Sequence, residues 1–139
     1  MTSLFSSREI DEDEPDWSNY LLNAGIYVWW IEKLDLSTWN TSKVETMYEM
    51  FYDLNNLEEL NISGFDTSKV YSMSYMFYNC TMDKLDVSGF DTSKVKYMDG
   101  MFSGCCNVKS LDLSHFNTSN VTDMSFMFDD CRSLTKLNL

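Results

Sequence analysis

One twelve-residue unit, Asp/Asn-Thr-Ser-x-Val-x-x-Met-x-x-Met-Phe, occurs four times in this chain at an almost constant step. It starts at Asn40, Asp66, Asp91 and Asn117, so the steps are 26, 25 and 26 residues. A period of this size is the mark of a repeat array whose units contact mainly their sequence neighbours. Such arrays usually present a surface rather than an enclosed active site.

Each repeat divides into two halves. The first is an alternating Leu-x-Leu-Ser type: Leu34 to Ser37, Leu60-Asn61-Ile62-Ser63, Leu85-Asp86-Val87-Ser88 and Leu111-Asp112-Leu113-Ser114. Alternation of apolar and polar residues predicts a short strand. The second half carries Val44, Met47, Met50 and Phe51, with counterparts Val70, Met73, Met76 and Phe77. Spacings of three and four place these on one face of a predicted short helix, and the preceding Asp/Asn-Thr-Ser supplies oxygens to cap it. The expected fold is therefore an α/β solenoid, with parallel strands on one face and short helices on the other. Residues 34–139 hold four such repeats and the first strand of a fifth, Leu137-Asn138-Leu139. Residues 17–33 fit the frame in degraded form and read as an N-terminal capping repeat, with Trp17, Trp29 and Trp30 covering the open end. Residues 1–16 end in an acidic run before Pro15 and Asp16 and read as a mobile segment.

At this point the residues match a family. The stretch 111–131, Leu-Asp-Leu-Ser-His-Phe-Asn-Thr-Ser-Asn-Val-Thr-Asp-Met-Ser-Phe-Met-Phe-Asp-Asp-Cys, resembles the BspA-type leucine-rich repeat of bacterial surface proteins and mycoplasma-type lipoproteins. That resemblance implies a right-handed leucine-rich-repeat solenoid, a secreted or cell-surface location, and adhesion to host or matrix proteins. No basic segment followed by an apolar stretch opens the chain, so no signal peptide is visible, and a cytoplasmic location stays open.

Composition narrows the chemistry. The net charge of −12 argues against binding nucleic acid through its phosphates and suits either solubility or a basic partner. No apolar run reaches the ~20 residues needed to cross a bilayer. Eight of the ten methionines sit on the two repeat positions, where a core column of thioethers is a better reading than a soft metal site. Cys80, Cys105 and Cys131 share one repeat position that Leu54 fills in the first repeat, which marks a small apolar site and free thiols. With His115 as the single histidine and no Cys-x-x-Cys pair, neither a zinc site nor a nucleophilic triad is expected. The chain reads as a non-enzyme without cofactor or metal.

Two surfaces remain as candidates for a protein partner. One is the polar face of the strands, with Asp35, Asn61, Asp86 and Asp112 and the serines Ser63, Ser88 and Ser114 in columns about 4.8 Å apart. The other is a group of tyrosines beside the core positions, Tyr48, Tyr52, Tyr71, Tyr75, Tyr78 and Tyr97, a residue type suited to interfaces. The uncapped C-terminal end adds an expectation of self-association. Three functions fit: a protein-binding domain of a bacterial surface adhesin, an intracellular acidic adaptor or inhibitor of a basic protein, and a spacer in a longer array.

Overall fold

The computed structural model describes residues 31–139. The acidic segment 1–16 and the capping repeat, apart from residues 31–33, lie outside that range.

Four three-residue strands are present among the described residues: β1 (Lys33–Asp35), β2 (Glu59–Asn61), β3 (Ser110–Asp112) and β4 (Lys136–Asn138). They form two separate two-stranded parallel sheets. β1 pairs with β2 so that Leu34 lies beside Leu60, and β3 pairs with β4 so that Leu111 lies beside Leu137. Lys84–Asp86, which the repeat pattern places in a strand, is not in one. The interruption coincides with a local difference between the repeats. Two residues separate Leu54 from Leu57, Cys105 from Val108 and Cys131 from Leu134, but only one separates Cys80 from Met82. The shorter return loop precedes the 84–86 segment, which nevertheless keeps the inward Leu85 and Val87 and the outward Asp86 of its counterparts. Leu60 and Leu85, on either side of the break, are only partly buried.

The expected α/β solenoid is not what forms. The described residues contain no helix, and their strands are confined to the two small pairs. Helical spacing misleads here because the Val-to-Phe segments are built from consecutive tight turns. In the first, the Met50 N–H bonds the Met47 carbonyl and the Tyr52 N–H bonds the Glu49 carbonyl. These turns need a left-handed residue between the two methionines and a second one past the phenylalanine. Glu49 (φ 54°), Tyr75 (φ 55°), Gly100 (φ 61°) and Phe126 (φ 57°) occupy the first site, and Asp53, Asn79, Gly104 and Asp130 the second. A left-handed residue every four or so positions is incompatible with an α-helix.

The backbone of each segment bonds sideways instead. Met47, Glu49, Phe51 and Asp53 donate their N–H groups to the carbonyls of Ser72, Ser74, Met76 and Tyr78 at 2.7–3.0 Å. The same four bonds recur from Met73, Tyr75, Phe77 and Asn79, and again from Met98, Gly100, Phe102 and Gly104. Parallel bridges Thr46–Ser72, Ser72–Tyr97 and Tyr97–Asp123 run across all four segments without a break. Matching side chains therefore stand in columns. The rings of Phe51, Phe77, Phe102 and Phe128 stack nearly parallel, with centroids 5.5–5.8 Å apart. Met47, Met73, Met76, Met98 and Met101 are fully buried beside them. Each such column removes ring and thioether surface from water along its length, at about 25 cal/mol per Å² of apolar area. The Cys80, Cys105 and Cys131 thiols donate to the carbonyls of Phe51, Phe77 and Phe102 at 3.1–3.2 Å, and all four cysteines are free.

The Asp/Asn-Thr-Ser unit, expected as a helix cap, does two other jobs. The Asp or Asn Oδ1 accepts the N–H of the serine two residues on, closing a local turn at Asn40, Asp66, Asp91 and Asn117. The buried threonine clasps the next repeat. Thr67 Oγ1 donates to the Asp91 carbonyl at 3.0 Å and accepts the Asp91 N–H at 2.8 Å. Thr41 does the same for Asp66 and Thr92 for Asn117. Thr67→Val keeps the shape but leaves both Asp91 backbone groups unpaired, so it is expected to cost about 1–3 kcal/mol in chemical denaturation. Thr118→Val, at an exposed threonine in the same repeat position, is expected to stay within about 0.5 kcal/mol of the native chain.

Candidate interaction surfaces

On the strand side, Asp35, Asn61, Asp86 and Asp112 are all exposed. Their Oδ1 atoms are engaged, accepting the backbone N–H groups of Ser37, Ser63, Ser88 and Ser114 at 2.9–3.2 Å. Each carboxylate or amide thus closes its own turn. The sheet pairs place Asp35 beside Asn61 and Asp112 beside Asn138, whose amide donates to Asp112 at 3.1 Å. Asp86 belongs to neither pair. The polar columns expected along one continuous strand face are therefore broken on both sides of Asp86, where no strand pairs beneath them. Among the described residues no three His, Cys, Asp or Glu side chains converge on a point that could hold a metal ion.

These hydrogen bonds hold several carboxyls below the usual carboxylate range. For Asp66, Asp86, Asp91, Asp112 and Asp123 the hydroxyl of the serine two residues on contributes most, followed by its N–H; for Asp35 the order is reversed.

The tyrosines are more closely gathered. Tyr52 stacks on Tyr78 with centroids 4.7 Å apart. Tyr75 meets Tyr78 edge-on at 5.8 Å and Tyr48 edge-on at 6.3 Å. The turns themselves bring them together: Tyr48 lies within the first Met-x-x-Met-Phe segment and Tyr75 within the second, hydrogen-bonded beside it, and Tyr52 and Tyr78 each follow directly. Tyr48 and Tyr52 are 41% and 42% exposed, while Tyr75 and Tyr78 are half-buried. The ring of Tyr75 lies over Gly100, where a Cβ would sit well inside contact distance of its carbons. Tyr71 and Tyr97 form a separate neighbouring pair, both exposed, joined through the Tyr97 N–H and the Tyr71 carbonyl.

Three carboxylates border the four-ring cluster. Glu49 holds the Tyr48 hydroxyl and, with burial and the nearby Asp99, pushes that phenol up to about 12. Burial raises Tyr52 too, helped by Tyr78, Glu49 and Asp53. These acids were not singled out from the sequence. The signal was available in the repeat columns, since Glu49 shares its position with Tyr75, and Asp99 shares its position with Tyr48.

A third surface is the face of the last turn. Met98 is fully buried, whereas Met124 in the same column is 44% exposed, and Phe126, Leu137 and Leu139 are exposed with it.

The lowered carboxyls predict how stability responds to acid. A folded-state value below the unfolded one stabilises the fold above about pH 4, and the contribution is lost as pH falls through the folded-state value. Asn40 and Asn117 hold the same turn without titrating. The double variant Asp66→Asn, Asp91→Asn is therefore expected to keep the turns, to forfeit the charge-dependent contribution at neutral pH, and to show a shallower decline in denaturation experiments between about pH 5 and pH 2.

Comparison with protein families gives a match over residues 26–137 to the family described as "Mycoplasma protein of unknown function, DUF285". Comparison with curated proteins and with solved structures gives no match.

Proposed function

The chain belongs to the DUF285 family of Mycoplasma proteins of unknown function, and on that premise we propose that it is a non-enzymatic protein-binding repeat domain at a bacterial surface. The observation that carries this reading is the cluster of Tyr48, Tyr52, Tyr75 and Tyr78. Ordered tyrosines on a hydrogen-bonded frame offer contact area at little entropic cost. The strand face supports binding less well, since its Asp and Asn oxygens are already used in turns. Surface location and adhesion draw on the resemblance of residues 111–131 to BspA-type repeats. The test uses the 139-residue chain on beads, incubated with a mammalian extracellular-matrix preparation. Proteins retained by the native chain are expected to be lost with the Tyr48→Ala, Tyr52→Ala double variant at unchanged melting temperature. An identical retained set for the two would overturn the proposal.

A second contact is supported by the apolar exposure of the last turn. Inside the chain the same positions are covered by the following turn, through four backbone bonds and an apolar column. We propose that copies of the 139-residue chain associate through the face bearing Met124, Phe126 and Leu137. Sedimentation at about 0.15 M salt, where the Debye length of about 8 Å screens the net charge, is expected to show concentration-dependent association that Met124→Asp with Leu137→Asp abolishes. A native chain that stays monomeric at high concentration would refute it.

A further inference from the structure

We infer that the four-tyrosine surface takes an arginine-bearing segment of a protein partner. This rests on the binding function proposed above and names the chemistry of what is bound. The rings of Tyr48, Tyr52, Tyr75 and Tyr78 form one patch, and a tyrosine face attracts a cation placed within about 6 Å of its centroid. Carboxylates stand at its border, where they would meet such a cation. Glu49 is held by the Tyr48 hydroxyl. Asp53 Oδ1 accepts from the side-chain amides of Asn55 and Asn79 at 3.1 and 3.3 Å. Asp99 accepts from the Ser74 hydroxyl. All of these donors are neutral, so they fix the carboxylates in place without cancelling their charge. The ion pairs Lys33–Glu59 and Arg132–Asp130 involve none of the three.

Fixed negative charge beside aromatic faces is complementary to a guanidinium more than to an ammonium. A guanidinium is planar, stacks on a ring and still presents N–H donors at its edge for a carboxylate. The chain as a whole, at −12, would also draw a basic segment toward it. The Tyr71–Tyr97 pair lacks this arrangement. No ring contact joins Tyr71 or Tyr97 to another aromatic among the described residues.

The experiment titrates the whole chain with three acetylated, amidated heptapeptides in which glycine alternates with arginine, citrulline or glutamate. Binding is followed by tyrosine ring signals in NMR. The arginine peptide is expected to bind and to shift the rings of Tyr48, Tyr52, Tyr75 and Tyr78, with the other two silent. Tyr52→Ala is expected to weaken it about three- to fivefold, Tyr52→Phe to retain it, and Glu49→Gln and Asp99→Asn each to weaken it. Tyr97→Ala is expected to leave it unchanged. Arginine-peptide binding that survives Tyr48→Ala with Tyr52→Ala would overturn the inference, reducing it to long-range attraction by net charge. Equal, tyrosine-dependent binding of the citrulline peptide would also overturn it while leaving the tyrosine surface as a protein-binding site. Tyrosine-dependent arginine binding alongside unaltered matrix retention would support the cation site and remove the adhesion reading instead.

Discussion

The lateral backbone bond between one turn and the next is the interaction on which everything else in this chain rests. A four-turn array of 25- or 26-residue units has no helix to satisfy its N–H and C=O groups internally, and its strands are three residues long. Buried backbone groups left unpaired would be costly. The N–H groups of alternate residues solve the problem by pointing at the neighbouring turn, four to a junction, and the buried threonine adds two more bonds at each. Once that ladder is fixed, equivalent side chains must superimpose. The phenylalanine stack, the methionine columns and the thiol row are consequences of it.

The ladder also determines which surfaces can work. On the side of the continuous bridges, side chains flanking the core are brought to neighbouring positions one strand spacing apart, which is how tyrosines distant in sequence come to touch. On the strand side, residues 84–86 join neither sheet, and the polar residues above the two pairs are divided there. Two faces of the same repeat thus differ in continuity.

Much of the core was legible in the sequence, because repeat columns report burial directly: Met73, Phe77, Cys80, Met98, Phe102 and Cys105 are buried where the repeats align them. The local backbone was not. Val44, Met47, Met50 and Phe51 have the spacing of a helix face, yet consecutive turns return to the same side at the same intervals. The distinguishing clue lay at Gly100 and Gly104, which occupy the two left-handed sites without strain. In the other repeats Glu, Tyr, Phe, Asp and Asn hide that requirement, sustained against about 1–2 kcal/mol of strain per residue by the ladder. The tyrosine cluster was visible only as a list of nearby residues. Its partition into a four-ring group and a separate pair, and the carboxylates bordering the former, depend on which turn lies next to which.

The seat of Tyr75 over Gly100 has a consequence for how such an array can change over generations. Near-identical repeats invite unequal recombination, which duplicates or deletes whole units. Here the second unit carries a large ring and the third carries the vacancy beneath it, as Asn79 does over Gly104. A duplicated second unit would set one tyrosine against the Cβ of another. The order of these two repeats is therefore inherited as a pair, and growth of the array is easiest at junctions that leave this couple intact.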